Sequence, residues 1–462
     1  MRDSTFSRTR AGCSARRAAN GFGLASTARA RQSAVLGACL GAALPLAAAV
    51  RVATAAADQL QAPMVLAVTS CADSGNGTLR NALASMANYD TIDMTGLACS
   101  TITLSSALIV PQQVSNLTLA GPADHTLTIS GNNNSRVLVH NGIGELLIDH
   151  LTLTNGSYTA GNHGGGCIYA LGRLRVQNST ISNCTLNLGS SFYTNGGGIY
   201  THGNLVLSDS VLSGNQAITG TGSSIGGGAF IGGNLTCARS TIRDNVATGP
   251  TGQSQAGGVF VAGSMQLDSC TITGNQAPSI GAAQTAGTVT CTNSTISGNS
   301  AANDHGGLLG QGSITLDHCT IAFNTQFAKF FGAGLFAGGT VLIANSSIIA
   351  RNTSTQNGAN YDVSLSSASA TFSGNHNLIM ASNKNTPPNT VSDDPKLEPL
   401  ADNGGPTLTH ALQPDSPAID KGDNIHGLSW DQRGVGYPRL DGAAPDIGAF
   451  ETTDTIFVDG FQ

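Results

Sequence analysis

Two adjacent aspartate–histidine pairs are the residues of this chain best suited to acid–base chemistry. They are Asp149–His150, in the stretch LLIDHLTL, and Asp317–His318, in the stretch LDHC. A carboxylate beside an imidazole can orient the ring, which then takes or gives a proton near neutral pH. Because the pair recurs at one position of a repeat, we interpret it as a solvated turn. We therefore predict no catalytic residues, with Asp149 and His150 as the alternative.

Carboxylates that could act as a pair are poorly spaced for glycoside hydrolysis. Asp268 and Asp317 occupy one position two repeats apart, which at roughly 4.8 Å per strand spacing corresponds to about 10 Å. Glycosidases place their two carboxyl groups roughly 5 to 9.5 Å apart. Asp149 lies four repeats from Asp268, so it is farther still. The sequence predicts no well-placed acidic pair, although a loop at 187–195 could bring in other groups.

Aromatic residues follow glycine clusters in successive repeats and could bind a ligand. The position after the glycines reads Ile168, Tyr200, Phe230, Phe260, Val289, Leu309 and Phe336. If this column points outward, three neighbouring rings form an apolar strip suited to a sugar chain or a partner protein. If it points inward, the rings are a stacked core. We expect the core arrangement and keep Tyr200, Phe230 and Phe260 as the candidate ligand-binding residues.

The elements that position these residues recur every 24 to 31 residues. The repeats align on a central aliphatic residue, namely Leu153, Ile181, Leu212, Ile242, Ile272, Ile296, Ile321 and Ile348. Self-similarity of this period is typical of solenoids. Apolar residues alternate within each repeat, as in Leu205 and Leu207, which is strand periodicity. The pattern predicts an all-β fold, a right-handed parallel β-helix with three short strands per coil.

An asparagine follows the aliphatic residue by three positions in five consecutive repeats. These residues are Asn215, Asn245, Asn275, Asn299 and Asn324. Stacked asparagines can pass hydrogen bonds from amide to amide along a solenoid, and asparagine tolerates the backbone of a tight turn. We predict a structural ladder here and no ligand site.

Composition and charge indicate a β-rich extracellular protein. Charged residues make up 10% of the 462 residues and glycine contributes 59, whereas a typical globular chain is roughly 25% charged. Residues 1–57 hold eight arginines, one acid and a late apolar run, the order expected of a secretory signal peptide; a retained membrane anchor is the alternative. Without them, 13 basic residues face 26 acidic ones, which argues against a nucleic-acid partner. We expect no transmembrane segment in the mature chain.

Three stretches resemble known families. GGGIY and GGGAF, followed by LSGN, ITGN and ISGN, resemble the polymorphic outer-membrane-protein repeat of β-helix surface proteins, over roughly residues 100–380. The stretch CADSGNGTLRNALASM (71–86) resembles the opening of secreted bacterial β-helix proteins, which implies an amphipathic helix that caps the first coil. Residues 394–424 and 431–451 resemble the choice-of-anchor Q segment, which follows a β-helix and precedes a sorting signal.

These resemblances imply the domain organisation. We expect a signal peptide at 1–57, an N-terminal cap at 58–99, the β-helix at 100–384, a choice-of-anchor-like segment at 385–451 and a terminal tail at 452–462.

The likeness to polysaccharide-cleaving enzymes is partial. LLIDHLTL resembles the Ile-Asp-His stretch of pectate lyases. The Arg-x-Pro-x-x-Arg motif with which those lyases abstract a proton is absent from the sequence. The Asn-Thr-Asp and Gly-His-Gly segments of polygalacturonases are absent as well. The motifs therefore do not identify an enzyme.

Eight cysteines follow the predicted signal peptide. Cys71 and Cys99 flank the capping helix and the first strand, and in an oxidising compartment we expect them to be bridged. The others are Cys167, Cys184, Cys237, Cys270, Cys291 and Cys319. The last four occupy two columns with members two coils, or about 10 Å, apart, beyond the roughly 4.4 to 6.8 Å between disulfide Cα atoms. We predict that these four are free; Cys167 and Cys184 are not assigned.

The sequence as a whole predicts a secreted or cell-surface β-helix protein with a binding or adhesion role. Its partner would be an extracellular polysaccharide or a cell-surface protein. A polysaccharide lyase or glycoside hydrolase with the pectate-lyase-like fold is the alternative. No cysteine–histidine cluster has the spacing of a zinc site, and we predict no metal and no cofactor.

Overall fold

The computed structural model describes residues 62–124, 126–161, 164–189, 193–250, 254–327, 332–354 and 361–453. Regular structure in these ranges consists of short strands and one helix, Leu79–Ser85. The strands wind into about eleven coils, and each strand pairs in parallel with the strand at the same position of the next coil. This is an all-β parallel β-helix, as predicted, but the prediction of three strands per coil is wrong, because four long sheets run along the solenoid. The predicted signal peptide and residues 454–462 of the predicted tail lie outside the described residues.

Successive strands of a coil belong to different sheets, and the described strands form five sheets, which we call sheets I to V. Sheet I contains Val65–Ala67, Thr91–Asp93, Leu117–Ala120, Glu145–Asp149, Arg173–Gln177, Leu205–Ser208, Leu235–Ala238, Met265–Asp268, Val289–Thr292, Ile314–Asp317, Val341–Asn345 and Thr371–Asn375. Sheet II contains Thr101–Thr103, Leu127–Ser130, Leu151–Thr154, Thr180–Ser182, Val211–Ser213, Thr241–Arg243, Thr271–Thr273, Thr295–Ser297, Thr320–Ala322, Ile348–Ala350 and Leu378–Ile379.

The other three sheets complete the coil. Sheet III contains Ser157–Tyr158, Thr185–Asn187, Gln216–Ile218, Val246–Thr248, Gln276–Ala277, Ser300–Ala301, Thr325–Gln326 and Thr353–Ser354. Sheet IV contains Leu108–Val110, Leu138–His140, Ile168–Ala170, Ile199–Thr201, Ala229–Ile231, Val259–Val261, Ala283–Thr285, Leu308–Gly310, Leu335–Ala337 and Val363–Leu365. Sheet V contains Tyr193–Asn195 and Ser223–Ile225.

The aliphatic column of sheet II forms part of the core. Leu153, Ile181 and Leu212 are in register and fully buried, so the predicted repeat alignment is confirmed there. At its last member the alignment is wrong by one residue, because Ile321 pairs with Ile349 and not with Ile348. Burial of each such side chain contributes about 1.5 to 3 kcal/mol, and the repeat places one in every coil.

The asparagine ladder is confirmed. The amide Nδ2 of Asn215 donates to Oδ1 of Asn245 at 2.9 Å, and the same bond recurs from coil to coil as far as Asn352. The final acceptor is a carboxylate: Asn352 donates its Nδ2 and its backbone N–H to Oδ1 of Asp362, at 3.0 and 2.8 Å. Burial raises the pKa of Asp362 to about 6.

Four disulfides connect the eight described cysteines. The predicted Cys71–Cys99 bridge is confirmed, and Cys167 pairs with Cys184. The prediction of four free cysteines is wrong: the pairs are Cys237–Cys270 and Cys291–Cys319, each with 6.4 Å between Cα atoms. The cysteines of one column are indeed two coils apart, but each reaches diagonally to the other column in the adjacent coil. Four disulfides are consistent with an extracellular protein.

The helix Leu79–Ser85 lies beside the first coils. It begins after Thr78, whose Oγ1 accepts from the backbone N–H of Asn81, and Leu79 and Leu83 are buried. Arg80 donates to the carbonyl of Ala107 at 2.9 Å. That this helix closes the end of the solenoid stays a prediction. No helix in the described part of the chain has the length and apolarity needed to span a bilayer.

Residues 385–453 fold back over the outer face of sheet II. The segment has no strand or helix, and its regular pairing within the described residues is limited to isolated bridges such as Ala401–Thr409. Three threonines in register on sheet II bind it: Thr271 donates to Leu408 O, Thr295 donates to Gln432 Oε1, and Thr320 accepts from Ala449 N.

Buried charges hold this segment together. Arg433 donates to Asp431 at 2.7 and 2.9 Å, and Arg439 donates to the carbonyls of residues 448 and 449. Glu451 accepts the backbone N–H groups of residues 441 and 446, and burial raises its pKa to about 8. These charged residues thus have structural roles in the segment.

Candidate ligand-binding face

Four aromatic rings form a straight column on sheet IV. Tyr169, Tyr200, Phe230 and Phe260 are register partners in consecutive coils. Neighbouring rings are parallel within 8°, and their centroids are 5.3 Å apart at each step. We call these four residues the ring column. The predicted candidates Tyr200, Phe230 and Phe260 are therefore brought together.

The ring column faces outward. Residues on either side of it in the strand, such as Ile199 and Thr201, are fully buried, whereas Tyr200, Phe230 and Phe260 are half-buried. The expectation that these rings belong to the core is therefore wrong. Strand alternation explains this result, because the flanking aliphatic residues already fill the inward positions.

Two members of the predicted column were misplaced. Ile168 points inward, and its neighbour Tyr169 is the first ring. Val289 belongs to sheet I, and Gln284 follows Phe260 in the column. Both errors arise because the glycine clusters are interrupted in these coils: the register places Cys167 against Gly198 and Ala282 against Gly258.

Neighbouring rings have nearly parallel planes and centroids 5.3 Å apart, which is farther than the roughly 3.5 to 4 Å between atoms in van der Waals contact. Tyr200, Phe230 and Phe260 are half-buried and keep part of their surface in solvent, whereas Tyr169 is buried. Sugar rings have apolar C–H faces that can contact such a surface, and the hydroxyl of Tyr200 adds a polar group.

Glycine clusters make the column possible. Gly196 has φ +74°, a conformation that few side chains adopt. A Cβ on Gly164 would lie 2.6 Å from Cδ2 of Tyr200, which is too close for any other residue. The glycines thus bring the backbone of one coil against the ring of the next.

Apolar residues extend the column in both directions. Ile109 and Val139 precede Tyr169 in register, and Leu309 and Phe336 follow two and three coils after Phe260. Ile109 is 62% exposed. Steps of about 4.8 Å from Ile109 to Phe336 give a stripe about 40 Å long, interrupted by polar positions such as Gln284.

A groove of about 410 Å³ opens beside the start of the ring column. Its floor includes Arg136, whose guanidinium carbon lies 3.3 Å from the ring centroid of Tyr158 and 5.5 Å from that of Tyr169. Arg136 donates to the carbonyls of Gly164 and Gly165 at 2.7 and 2.8 Å. Burial lowers the pKa of Arg136, yet an arginine remains charged. Sequence reasoning missed Arg136 and Tyr169, because neither lies in the aligned motif.

Asp149 and His150 lie on a different part of the molecule, at the corner between sheets I and II. Nδ1 of His150 is 2.7 Å from Oδ1 of Asp149, and Nδ2 of Asn178 donates to the same oxygen at 3.1 Å. His150 lines an open groove of about 310 Å³ with Thr152 and Thr180. The pair has the geometry of an oriented imidazole.

The second aspartate–histidine pair is buried. Residues 385–453 cover it, and His426 places Nδ1 2.6 Å from Asp317. Burial alone would raise the pKa of Asp317, but hydrogen bonds and charge from His318 and His426 hold that pKa below its usual value. Burial lowers the pKa of His318. The interpretation of this pair as a solvated turn is therefore wrong, because the sequence did not show which turns the C-terminal segment covers.

An exposed charge cluster on sheet I was also missed. Arg173 and Arg175 place Nε 3.0 and 3.4 Å from the carboxylate of Glu145. The alternation of charged and apolar residues in RLRVQ and ELLID was the available signal. In the ranges that the structure describes, no group of three or more His, Cys, Asp and Glu side chains could hold a metal ion.

No family model matches the chain, and none of the curated proteins matches it. Among solved structures, the crystal structure of pectate lyase Pel9A is similar, with a TM-score of 0.41 and 13% sequence identity over 86% of this chain and 98% of the lyase.

Proposed function

We propose that this chain is an extracellular binding protein whose ring column binds an extended polysaccharide. The observation that carries the proposal is the straight row of four stacked rings with a constant 5.3 Å step, in which Tyr200, Phe230 and Phe260 are half-buried and Tyr169 is buried. A regular polymer can contact successive rings with successive sugar residues. Aromatic side chains supply large apolar contact area, and they need not fit one unique ring orientation.

The row favours a polymer over a small ligand. A small ligand is normally enclosed by a concave pocket, whereas the ring column is a half-exposed stripe on a sheet. Contacts that are weak one by one add up when they belong to one connected ligand. The groove at Arg136 would then receive one end of the bound stretch.

A glycan array followed by calorimetry tests this proposal. We expect binding to an extended polysaccharide, and we expect Phe230→Ala to weaken it about tenfold, which corresponds to about 1.4 kcal/mol. Phe327→Ala is the matched control, because Phe327 is an exposed aromatic residue away from sheet IV. If no polysaccharide binds, or if both variants bind as tightly as the unmodified protein, the proposal is wrong.

A polysaccharide-cleaving enzyme is the second candidate. The observation in its favour is the Asp149–His150 pair, with 2.7 Å between Nδ1 and Oδ1, beside an open groove. Assays for reducing sugars and for unsaturated products, run on the same polysaccharides, separate the two. Turnover that His150→Ala abolishes would replace the binding proposal.

Secretion and anchoring also remain proposals. They rest on the signal-like residues 1–57 and on the resemblance of residues 385–451 to a choice-of-anchor segment. Cell fractionation tests them: with residues 454–462 deleted, we expect the protein in the culture medium, and unchanged retention at the surface would contradict anchoring through the tail.

A further inference from the structure

One pentapeptide occurs twice at equivalent places in the solenoid. The sequence Asn-Ser-Thr-Ile-Ser spans residues 178–182 and 293–297. In both copies the asparagine has positive φ, 47° and 43°, at the corner between sheets I and II. The isoleucine is fully buried in the core in both copies. The asparagine and the threonine therefore present the same side chains at the same corner.

The second copy binds polypeptide. Nδ2 of Asn293 donates to the carbonyl of Trp430 at 2.8 Å, and Oγ1 of Thr295 donates to Oε1 of Gln432 at 2.6 Å. Asn293 and Thr295 are only 5% and 0% exposed. The stretch from Trp430 to Gln432, which enters a turn at residues 431–434, thus satisfies the pair with one carbonyl and, two residues later, one glutamine side chain.

The first copy lies in the open groove of about 310 Å³. Asn178 is exposed and Thr180 half-buried, and both line the groove. One Nδ2 hydrogen of Asn178 goes to Asp149, and the amide has a second one to donate. The copies differ at their last residue. In the first copy the hydroxyl of Ser182 donates to Thr154 of the solenoid and not to residues 385–453.

We propose that this groove binds a short segment of another polypeptide. That segment presents a backbone carbonyl to Asn178 and, two residues later, a glutamine side chain to Thr180. Within this protein, the same two side chains bind such a segment at 293–295. This is why we choose a polypeptide over a glycan for this corner.

Charge narrows the choice of partner. Asp124 lines the groove, and Asp149 lies directly beside it. Two carboxylates favour a basic residue next to the glutamine. In the segment bound at the second copy, the basic residue after Gln432 is Arg433, and its charge is paired with Asp431 of the same segment. The carboxylates at the first copy therefore select a polypeptide with a glutamine and an adjacent basic residue, and its site is separate from the ring column.

A peptide of the sequence LSWDQRGV, residues 428–435, is the probe. Labelled with a fluorophore, it is titrated with the full chain and followed by fluorescence polarisation. We expect saturable binding below about 1 mM. Asn178→Ala/Thr180→Val should weaken it at least tenfold, and a peptide with Gln432→Leu should bind as weakly.

The matched control is Gln266→Ala/Thr290→Val, which removes one amide and one hydroxyl from exposed positions of sheet I. It should bind the peptide like the unmodified protein. Thermal melts of both double variants should overlay that of the unmodified protein, which separates lost binding from lost folding. Absence of saturable binding, or equal binding by both double variants, would overturn the proposal.

Discussion

The asparagine ladder and the ring column both repeat one kind of side chain from coil to coil, yet they belong to different parts of the molecule. Asn215, Asn245 and Asn275 are fully buried, and each amide is bonded to the next. Tyr200 and Phe230 are half-buried, and the centroids of their parallel rings lie 5.3 Å apart.

The difference shows what repetition means in a solenoid. A buried polar side chain must be hydrogen-bonded, so a ladder that satisfies itself is a structural device and leaves no group for a ligand. An outward row of rings is under no such constraint. Its remaining surface is open to a ligand, and the two columns should respond differently to substitution.

The largest effect should follow from breaking the ladder. In Asn275→Ala, the buried backbone N–H of Asn245 loses its acceptor, and the buried Nδ2 of Asn245 loses one of its two acceptors and keeps Leu212 O. Each unsatisfied buried group costs about 1 to 3 kcal/mol, so urea unfolding should show a loss of about 4 kcal/mol. The control Asn204→Ala removes the acceptor of an exposed bond and should cost under about 1 kcal/mol. If Asn275→Ala lost as little free energy of unfolding as Asn204→Ala, the ladder would not stabilise the fold as predicted.

The end of the ladder should make stability depend on pH. The pKa of Asp362 is raised from 3.8 to about 6 in the folded chain. The contribution of Asp362 to the free energy of unfolding is therefore fully present below about pH 4. As the pH rises through 6, this contribution of about 3 kcal/mol is lost.

Asp362→Asn keeps the accepting oxygen and removes the titration. The free energy of unfolding, measured with urea at pH 4 and at pH 7, should differ less between the two pH values in the variant than in the unmodified chain. An unchanged pH dependence would contradict the assignment to Asp362.

Truncation in the ring column should cost less. Phe230 is only half-buried, so Phe230→Ala should lower the free energy of unfolding by about 1 to 2 kcal/mol, below the 3 to 5 kcal/mol of a fully buried phenylalanine. The neighbouring Ile231→Ala is the internal comparison, since Ile231 is fully buried and should lose about 2 to 5 kcal/mol. If chemical unfolding showed equal losses of free energy of unfolding for Phe230→Ala and Ile231→Ala, the rings would have to be assigned to the core.

The smallest effect should come from the hydroxyl of Tyr200. Tyr200→Phe keeps the stacked ring and removes one half-exposed oxygen. Its thermal unfolding should correspond to a change within about 0.5 kcal/mol. A larger loss would mean that the ring column is held by that hydroxyl and not by ring contacts.

Features that depend on local repetition were predictable. Each coil carries the same alternation and the same asparagine, so the β-helix, the register around Ile181 and the ladder follow from spacing alone. The direction in which the rings point was harder to predict. Phe230 lies between Ala229 and Ile231, and either set of alternating side chains in this strand could have faced the core. The orientation of Phe230 depends on which residues of the strand fill the interior of the solenoid.

The sequence by itself determined the coil, because one repeat contains all the groups that its neighbour needs: aliphatic residues for the core and an amide for the ladder. Tertiary structure alone decided what lies on top of the coils. Cys237 and Cys270 became partners only because adjacent coils bring two columns together diagonally. The copies of Asn-Ser-Thr-Ile-Ser have the same five residues, but only the one at 293–297 is buried beneath Trp430 and Gln432. The contacts of this second copy with Trp430 and Gln432 join residues more than 130 positions apart, and no local pattern encodes them.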